Sequence, residues 1–104
     1  MQQISLAPIP NQSFNIVLDS DNYIMTFKSM INFMTVDINR NGVDVVLGMR
    51  CVAGSPLIPY RYLEQGNFII TTANEEEPFY TNFGVNQFLF FVTQLELEAI
   101  RATV

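Results

Sequence analysis

Apolar and polar side chains alternate with a period of two along much of this chain, and this period is typical of strands with one buried face. The alternation is clearest in three runs, whose apolar positions are Phe14, Ile16 and Leu18; Met34, Val36 and Ile38; and Val43, Val45, Leu47 and Met49. Helical periodicity is poor, because β-branched and aromatic residues dominate and alanine is scarce until the last few residues. The pattern therefore predicts an all-β protein.

Turn-forming residues separate these runs. Asp19–Asn22 precedes a strand at Tyr23–Lys28, and Asn41-Gly42 lies between Thr35–Asn39 and Val43–Gly48. Asn-Gly is the strongest short hairpin signal, because both residues tolerate a positive φ. We therefore expect a tight hairpin at Asn41-Gly42.

The second half of the chain carries two more strand predictions, at Asn67–Ala73 and Phe88–Gln94. Pro56 and Pro59 argue against an interior strand at Leu57–Gln65. Strands of this length and spacing favour a small antiparallel β-sandwich or β-barrel. At 104 residues the chain is long enough to bury a core as a single domain, residues 1–104.

The run Phe88–Val92 is apolar on both faces, so alternation does not identify its buried side. We expect one face to cover the core and the other, with Leu89 and Phe91, to contact another protein. The alternative is a central strand enclosed between two layers of the same domain.

The two ends of the chain are predicted to be assembly segments: an extended N-terminal arm, about 1–12, and a short C-terminal tail, about 95–104. Termini fray unless they dock on something, so we expect deletion of Glu98–Val104 to leave the stability of the monomer nearly unchanged. Together these hypotheses give eight candidate interface residues: Ile4, Leu6, Tyr60, Tyr62, Leu89, Phe91, Leu97 and Ile100.

Composition favours protein contacts over chemistry. Only 14% of the residues are charged, against roughly 25% in a typical domain, whereas ten Asn and six Gln supply neutral hydrogen-bonding groups. A net charge of −5 with scattered basic residues argues against binding to a phosphate backbone. No apolar run is as long as a membrane-spanning helix, and the N-terminus lacks the features of a secretory signal, so we expect synthesis in a cytoplasm.

Catalytic and cofactor sites are not predicted. The chain has no histidine, which excludes a Ser–His or Cys–His relay within it. Its one cysteine, Cys51, is interpreted as a small core residue. The acidic run Glu75–Glu77 precedes Pro78 and is interpreted as a hydrated loop, and no phosphate-binding glycine loop or metal-ligand spacing is present. We predict no enzyme activity, no cofactor and no metal.

Short motifs nevertheless follow one another in a recognisable order: Ile4-Ser5-Leu6, Pro10-Asn11-Gln12-Ser13-Phe14, Leu18-Asp19 through Tyr23, Val36-Asp37-Ile38, Asn41-Gly42 with Val43–Gly48, Gly54-Ser55-Pro56-Leu57, and Pro78, Phe83-Gly84 and Phe88–Val92. This order resembles the baseplate plug proteins of contractile-tailed bacteriophages, first described for a cyanophage baseplate. Members of that family often carry Trp where Ile31–Met34 stands, and here we expect Phe33 to fill the corresponding core volume.

The resemblance implies a structural virion protein of the tail baseplate, made in the bacterial host cytoplasm, that packs near the tail axis and helps to close or organise the tube end. Its implied partners are other baseplate and tail-hub proteins, tail-tube initiator proteins and further copies of itself, without a membrane or direct nucleic-acid contact. The alternative from the residues alone is a small β-barrel binding module for a nucleic acid or a peptide, in which Tyr60-Arg61-Tyr62 would stack on bases.

Overall fold

Seven strands and one α-helix make up the regular structure of residues 1–102, which are the residues that this computed structural model describes, except for the side chain of Glu75. In chain order these elements are β1 Gln2–Ile4, β2 Asn11–Leu18, β3 Asp21–Ser29, β4 Met34–Arg40, β5 Val43–Arg50, β6 Asn67–Thr71, β7 Phe88–Val92 and α1 Gln94–Ala102. Single turns of 3₁₀ helix lie at Arg61–Leu63, Ala73–Glu75 and Tyr80–Asn82.

The strands form two antiparallel sheets, one with the order β2-β3-β4-β5 and one with the order β1-β7-β6. Residues of both sheets share one hydrophobic core. The all-β prediction is confirmed, and of the two predicted architectures the chain adopts the sandwich, because neither sheet closes on itself.

Two of the three connections in the larger sheet are two-residue turns. Asp19 and Ser20 join β2 to β3 with φ values of 52° and 69°, and Asn41 and Gly42 join β4 to β5 with φ values of 52° and 86°. Paired positive φ values belong to the type I′ turn, whose twist matches that of the flanking strands. The hairpin predicted at Asn41-Gly42 is therefore confirmed.

Strand β5 departs from simple alternation. The pairing register shifts twice between β4 and β5, so Val45 and Val46 are both buried while Leu47 is exposed. The prediction that Leu47 shares a buried face with Val45 is wrong, because each bulge adds a residue and reverses the side on which the following side chains lie. Gly48 has a φ of 66°, and its N–H donates to Asp37 Oδ1 over 2.6 Å.

Aromatic side chains from both sheets meet at the centre of the sandwich. The rings of Tyr23 and Phe68 pack edge to face with centroids 5.2 Å apart, and Phe68 and Phe91 lie 5.3 Å apart. Burying one such side chain stabilises the fold by about 1.5–3 kcal/mol. Phe33, predicted to fill core volume, is instead half-buried beneath the Arg50 guanidinium, 4.6 Å from the ring centroid.

Both ends of the chain belong to the sandwich. β1 pairs with β7, and Ile4 and Leu6 are buried in the core, so residues 1–12 are not a free arm. At the other end, Thr93 Oγ1 accepts a hydrogen bond from the N–H of Glu96, whose carboxylate accepts one from the N–H of Thr93. This reciprocal pair is a capping box that begins α1. Of the predicted tail 95–104, the last two residues lie outside the described part of the chain.

Candidate interaction surfaces

The described residues hold no candidate metal site, and the single thiol is inert. Within the part of the chain that the structure describes, no three His, Cys, Asp or Glu side chains lie close enough together to hold a metal ion. Cys51 is fully buried, and burial raises the pKa of its thiol to about 12, so it stays protonated at neutral pH. This thiol is a small apolar core group, as predicted, rather than a nucleophile.

Among the described residues, Glu64 is a buried carboxylate with a strong partner, and its role is structural. The Glu64 side chain is 1% exposed and accepts two hydrogen bonds from Arg101, at 2.5 and 3.0 Å, and one from Asn67 Nδ2 at 2.5 Å. Hydrogen bonds from Arg101 are the main reason that the pKa of Glu64 is lowered from its usual value. Asn67 also bonds to both backbone groups of Ile58, so this network joins α1 and β6 to the irregular segment between β5 and β6.

Five of the eight predicted interface residues lie inside the domain. Each is at most 8% exposed; they are Ile4, Leu6, Leu89, Phe91 and Leu97. These five predictions are wrong for the folded monomer, since a side chain in the core has no surface with which to contact a partner. Tyr60, Tyr62 and Ile100 lie at the surface, each at least half exposed.

The error at β7 concerns the choice of face. Leu89 and Phe91 point into the core, whereas Phe88 and Phe90 lie half-buried on the outer side of the three-stranded sheet. Phe90 pairs with the half-buried Ile69 of β6, so the outer side of this sheet does carry apolar side chains. As the sequence indicated, β7 is apolar on both faces. However, the face with Leu89 and Phe91 covers the core, and the face with Phe88 and Phe90 is the outer one.

The two exposed tyrosines lie beside β5. Tyr60 and Tyr62 have ring centroids 5.8 Å apart, and Tyr60 lines a cavity of about 350 Å³ with Pro59 and the strand segment 44–50. We call this cavity the β5 groove. The exposed Leu47 also lines this groove and extends the apolar surface beside Tyr60. This side of the domain therefore has the shape and chemistry of a protein contact.

Basic side chains gather at one end of the β5 groove. Arg50, Arg61 and Arg101, three of the five basic residues, line a neighbouring cavity of about 420 Å³. Arg50 pairs with Glu77 and Arg101 with Glu64, so most of this positive charge is neutralised locally. A backbone of phosphates requires several uncompensated cations, and the cavity does not provide them.

A different kind of surface lies at the opposite edge of the larger sheet. Strand β2 pairs with β3 in unbroken register over all eight of its residues, and within residues 1–102 it pairs with no other strand. Four alternate residues on its outer side, which we call the outer row, are exposed: Asn11, Ser13, Asn15 and Val17. The inner row, Gln12, Phe14 and Ile16, is half-buried at the margin of the core.

Sequence analysis did not single out the β2 edge, although one signal for it was present. The segment 11–18 contains no charged residue, no proline and no glycine, which are the devices that usually protect an edge strand. The sequence alone does not show that β2 is an edge strand, because that depends on the order of strands in the sheet.

Comparison with known proteins places the chain in a family. The sequence model of the family described as cyanophage baseplate Pam3 plug gp18 matches residues 1–94, which span all seven strands and the start of α1. No curated protein matches the chain. Within residues 1–102, no helix has the length and apolar character needed to cross a membrane. Because this match covers nine-tenths of the sequence and all seven strands of the sandwich, the chain belongs to the cyanophage baseplate plug family.

Proposed function

We propose that this protein is a structural component of the baseplate of a contractile bacteriophage tail, where it packs near the tail axis and helps to close the tube end. The family match over residues 1–94 is the observation that carries the proposal, because it covers the whole sandwich rather than one motif. The protein acts by occupying a place in the assembly, without catalysis and without a cofactor. It is made in the host cytoplasm and then incorporated into the virion.

Its surface suits such a role. Assembly proteins exchange water for protein contacts over large areas, and neutral amides are cheaper to desolvate than charges. Exposed apolar side chains surround the β5 groove, notably Leu47, Tyr60 and Tyr62. We assign this groove to contacts with hub or tube-initiator proteins, and Ile100 on α1 to a separate contact.

Deletion and complementation test the proposal in the phage. A phage that lacks the gene is grown with a plasmid copy carrying an affinity tag, and its particles are imaged by electron microscopy. The proposal expects tails with defective or open tube ends in the absence of the gene, and a label at the baseplate, on the axis, when the tagged copy is supplied. Normal tails without the gene, or a label elsewhere on the particle, would contradict it.

A matched pair of variants then tests the groove. Tyr60→Ser combined with Tyr62→Ser removes two exposed rings, and Val85→Ser removes an exposed apolar side chain outside the groove. We expect the double variant to fold but to be incorporated poorly, and Val85→Ser to be incorporated normally. If both variants were incorporated equally well, the groove would not be part of the interface.

The nucleic-acid alternative has its own test. Binding of the purified protein to an oligonucleotide is measured while the salt concentration is raised, because phosphate contacts weaken steeply with salt. We expect no measurable binding at physiological salt, given the net charge of −5. Tight, salt-sensitive binding would favour the alternative function.

A further inference from the structure

We propose that the β2 edge pairs with the same edge of a second copy of this chain, antiparallel and across a two-fold axis, so that two four-stranded sheets become one continuous sheet. This inference is independent of the baseplate role, because it concerns the purified protein alone. Four observations support it: the direction of the free backbone groups, the absence of edge protection, the side chains that the pairing would bring together, and the distribution of charge.

The free backbone groups of β2 belong to its outer row. Asn22 lies opposite Val17, yet its carbonyl accepts from the N–H of Asn41 at 2.8 Å and its N–H donates to Asn41 Oδ1 at 2.9 Å. Both backbone groups of Asn22 therefore point toward β4, so Val17 and Asn22 form a non-hydrogen-bonded pair. Since such pairs alternate along an antiparallel ladder, the N–H and C=O groups of all four outer-row residues point away from β3.

Nothing in the described chain covers these groups. The described backbone hydrogen bonds outside the strand ladders involve no residue of β2. The strand is regular and free of the charges, prolines and bulges by which proteins prevent edge pairing. The other sheet has shorter edges, since β1 has three residues and β6 has five.

One register uses the whole strand. If Phe14 lies opposite Phe14 of the second copy, then Asn11 lies opposite Val17 and Ser13 opposite Asn15. Every outer-row residue then exchanges both of its backbone hydrogen bonds with the second copy. Shifting the strands by two residues in either direction leaves one outer-row position of each copy unpaired, so this register gives the most bonds.

The same register matches side chains on both faces. On the inner face Phe14 meets its counterpart in a non-hydrogen-bonded pair, where side chains lie closest and aromatic pairs stabilise a sheet. Phe14 already stacks on Phe27, with centroids 6.2 Å apart, and is only half-buried in the monomer. On the outer face the Ser13 hydroxyl already hydrogen-bonds to Thr26 Oγ1 at 3.0 Å, and its remaining hydrogen-bonding capacity can pair with the Asn15 amide of the second copy.

Charge explains why the occupant is a second copy. Two molecules with a net charge of −5 repel each other, and a two-fold contact brings charges that lie near the axis close to their own equivalents. Strand β2 avoids this penalty, because its amide, hydroxyl and apolar side chains are compatible with themselves. A charged edge would have required a partner of opposite charge.

Sedimentation of the purified full chain over a range of concentrations tests the pairing. One strand pair buries less than a standard interface, so we expect a reversible dimer with a dissociation constant weaker than about 1 µM. Asn15→Lys places a charge at the centre of the edge, and we expect it to raise the dissociation constant by at least about tenfold. Because this change also lowers the net negative charge, a weaker dimer cannot be attributed to general repulsion.

Two further variants keep the result interpretable. Val43→Lys adds the same charge to an exposed site at the start of β5 that does not line the β5 groove, and we expect its dimer to be unchanged. Asn15→Pro removes only an outward N–H, and we expect it to fold and to remain monomeric. A wild-type chain that stays monomeric at the highest attainable concentration would overturn the proposal, as would a dimer that survives Asn15→Lys or one that Val43→Lys disrupts to the same degree.

Discussion

The two edges of the four-stranded sheet have the same length but opposite character. β2 and β5 each have eight residues, yet β2 is regular, uncharged and bare, whereas β5 carries two register shifts, a glycine with positive φ and the charged residues Asp44 and Arg50. Edge strands normally carry such protection, because a bare edge is a template for pairing. The chain protects one edge and leaves the other open, so we infer that the open edge has a partner.

The edges also differ in what lies beside them. Tyr60 and Pro59 flank β5 and form the β5 groove, so a partner there would meet side chains rather than backbone. At β2 a partner would meet backbone N–H and C=O groups. Two contacts of different chemistry on opposite sides of one small domain would let it bind two neighbours at once.

The largest effect in this comparison is expected from proline on the inner side of β2. Ile16 lies one residue after Asn15, but its N–H points toward β3, so Ile16→Pro removes a bond within the sheet and places a ring against β3. We expect Ile16→Pro to destabilise the monomer by about 3 kcal/mol or more, whereas Asn15→Pro costs about 1 kcal/mol or less. Denaturant unfolding of both variants measures the loss in the free energy of unfolding. Equal losses would show that the backbone N–H groups of the outer row do not point away from β3.

The next largest effect concerns the network at the end of the β5 groove. Arg101→Met leaves the buried Glu64 carboxylate without its main partner, and we expect a clear loss of stability, smaller than that for a fully buried pair because Arg101 is partly exposed. Because Arg101 lies within residues 98–104, its pair with Glu64 contradicts the expectation that this segment is dispensable for stability. A truncation at Glu98 that melts like the wild type would contradict the role of Arg101.

The same network predicts a pH dependence. The folded-state pKa of Glu64 is lowered, so its contribution to stability is present above the unfolded value of about 4.3 and is lost as the pH falls through the lowered folded value. Glu64→Gln should therefore be less stable than the wild type at neutral pH, and the gap should narrow in acid. Melting curves of both proteins across this range measure the gap, and a constant gap would mean that Glu64 does not titrate differently in the two states.

A smaller effect is expected at the bulge that protects β5. Gly48 has a φ of 66°, and a β-branched residue there would be strained even though the site has open space. We expect Gly48→Val to cost about 1–2 kcal/mol, and Leu47→Val, at the exposed neighbouring position, to cost less than about 0.5 kcal/mol. Thermal melting compares the two, and a Gly48→Val variant as stable as the wild type would mean that this strand tolerates a regular backbone.

These particular residues also show what could be predicted from sequence. The Asn41-Gly42 hairpin was predictable, because the turn is specified by two adjacent residues. The buried face of β7 was not predictable, because Leu89 and Phe90 are both apolar and alternation therefore does not indicate which of them points toward the core. The bulges in β5 depend on contacts such as that of Asp37 with Gly48, which pattern analysis does not contain.

The end of the chain was predictable in part. The capping box Thr93-x-x-Glu96 is visible in the sequence and specifies where α1 begins. The partner of Arg101 could not be found in the same way, because Glu64 is 37 residues away along the chain.

Hydrogen exchange at several protein concentrations tests the central claim, that β2 is an open edge which pairs with itself, most directly. In dilute solution the amide protons of Ser13, Asn15 and Val17 should exchange rapidly while those of Phe14 and Ile16 are protected by β3. As the concentration rises, we expect the outer-row amides to become protected together, with no change along β5. Outer-row amides that remain unprotected at every concentration, or protection that appears along β5 instead, would contradict the account.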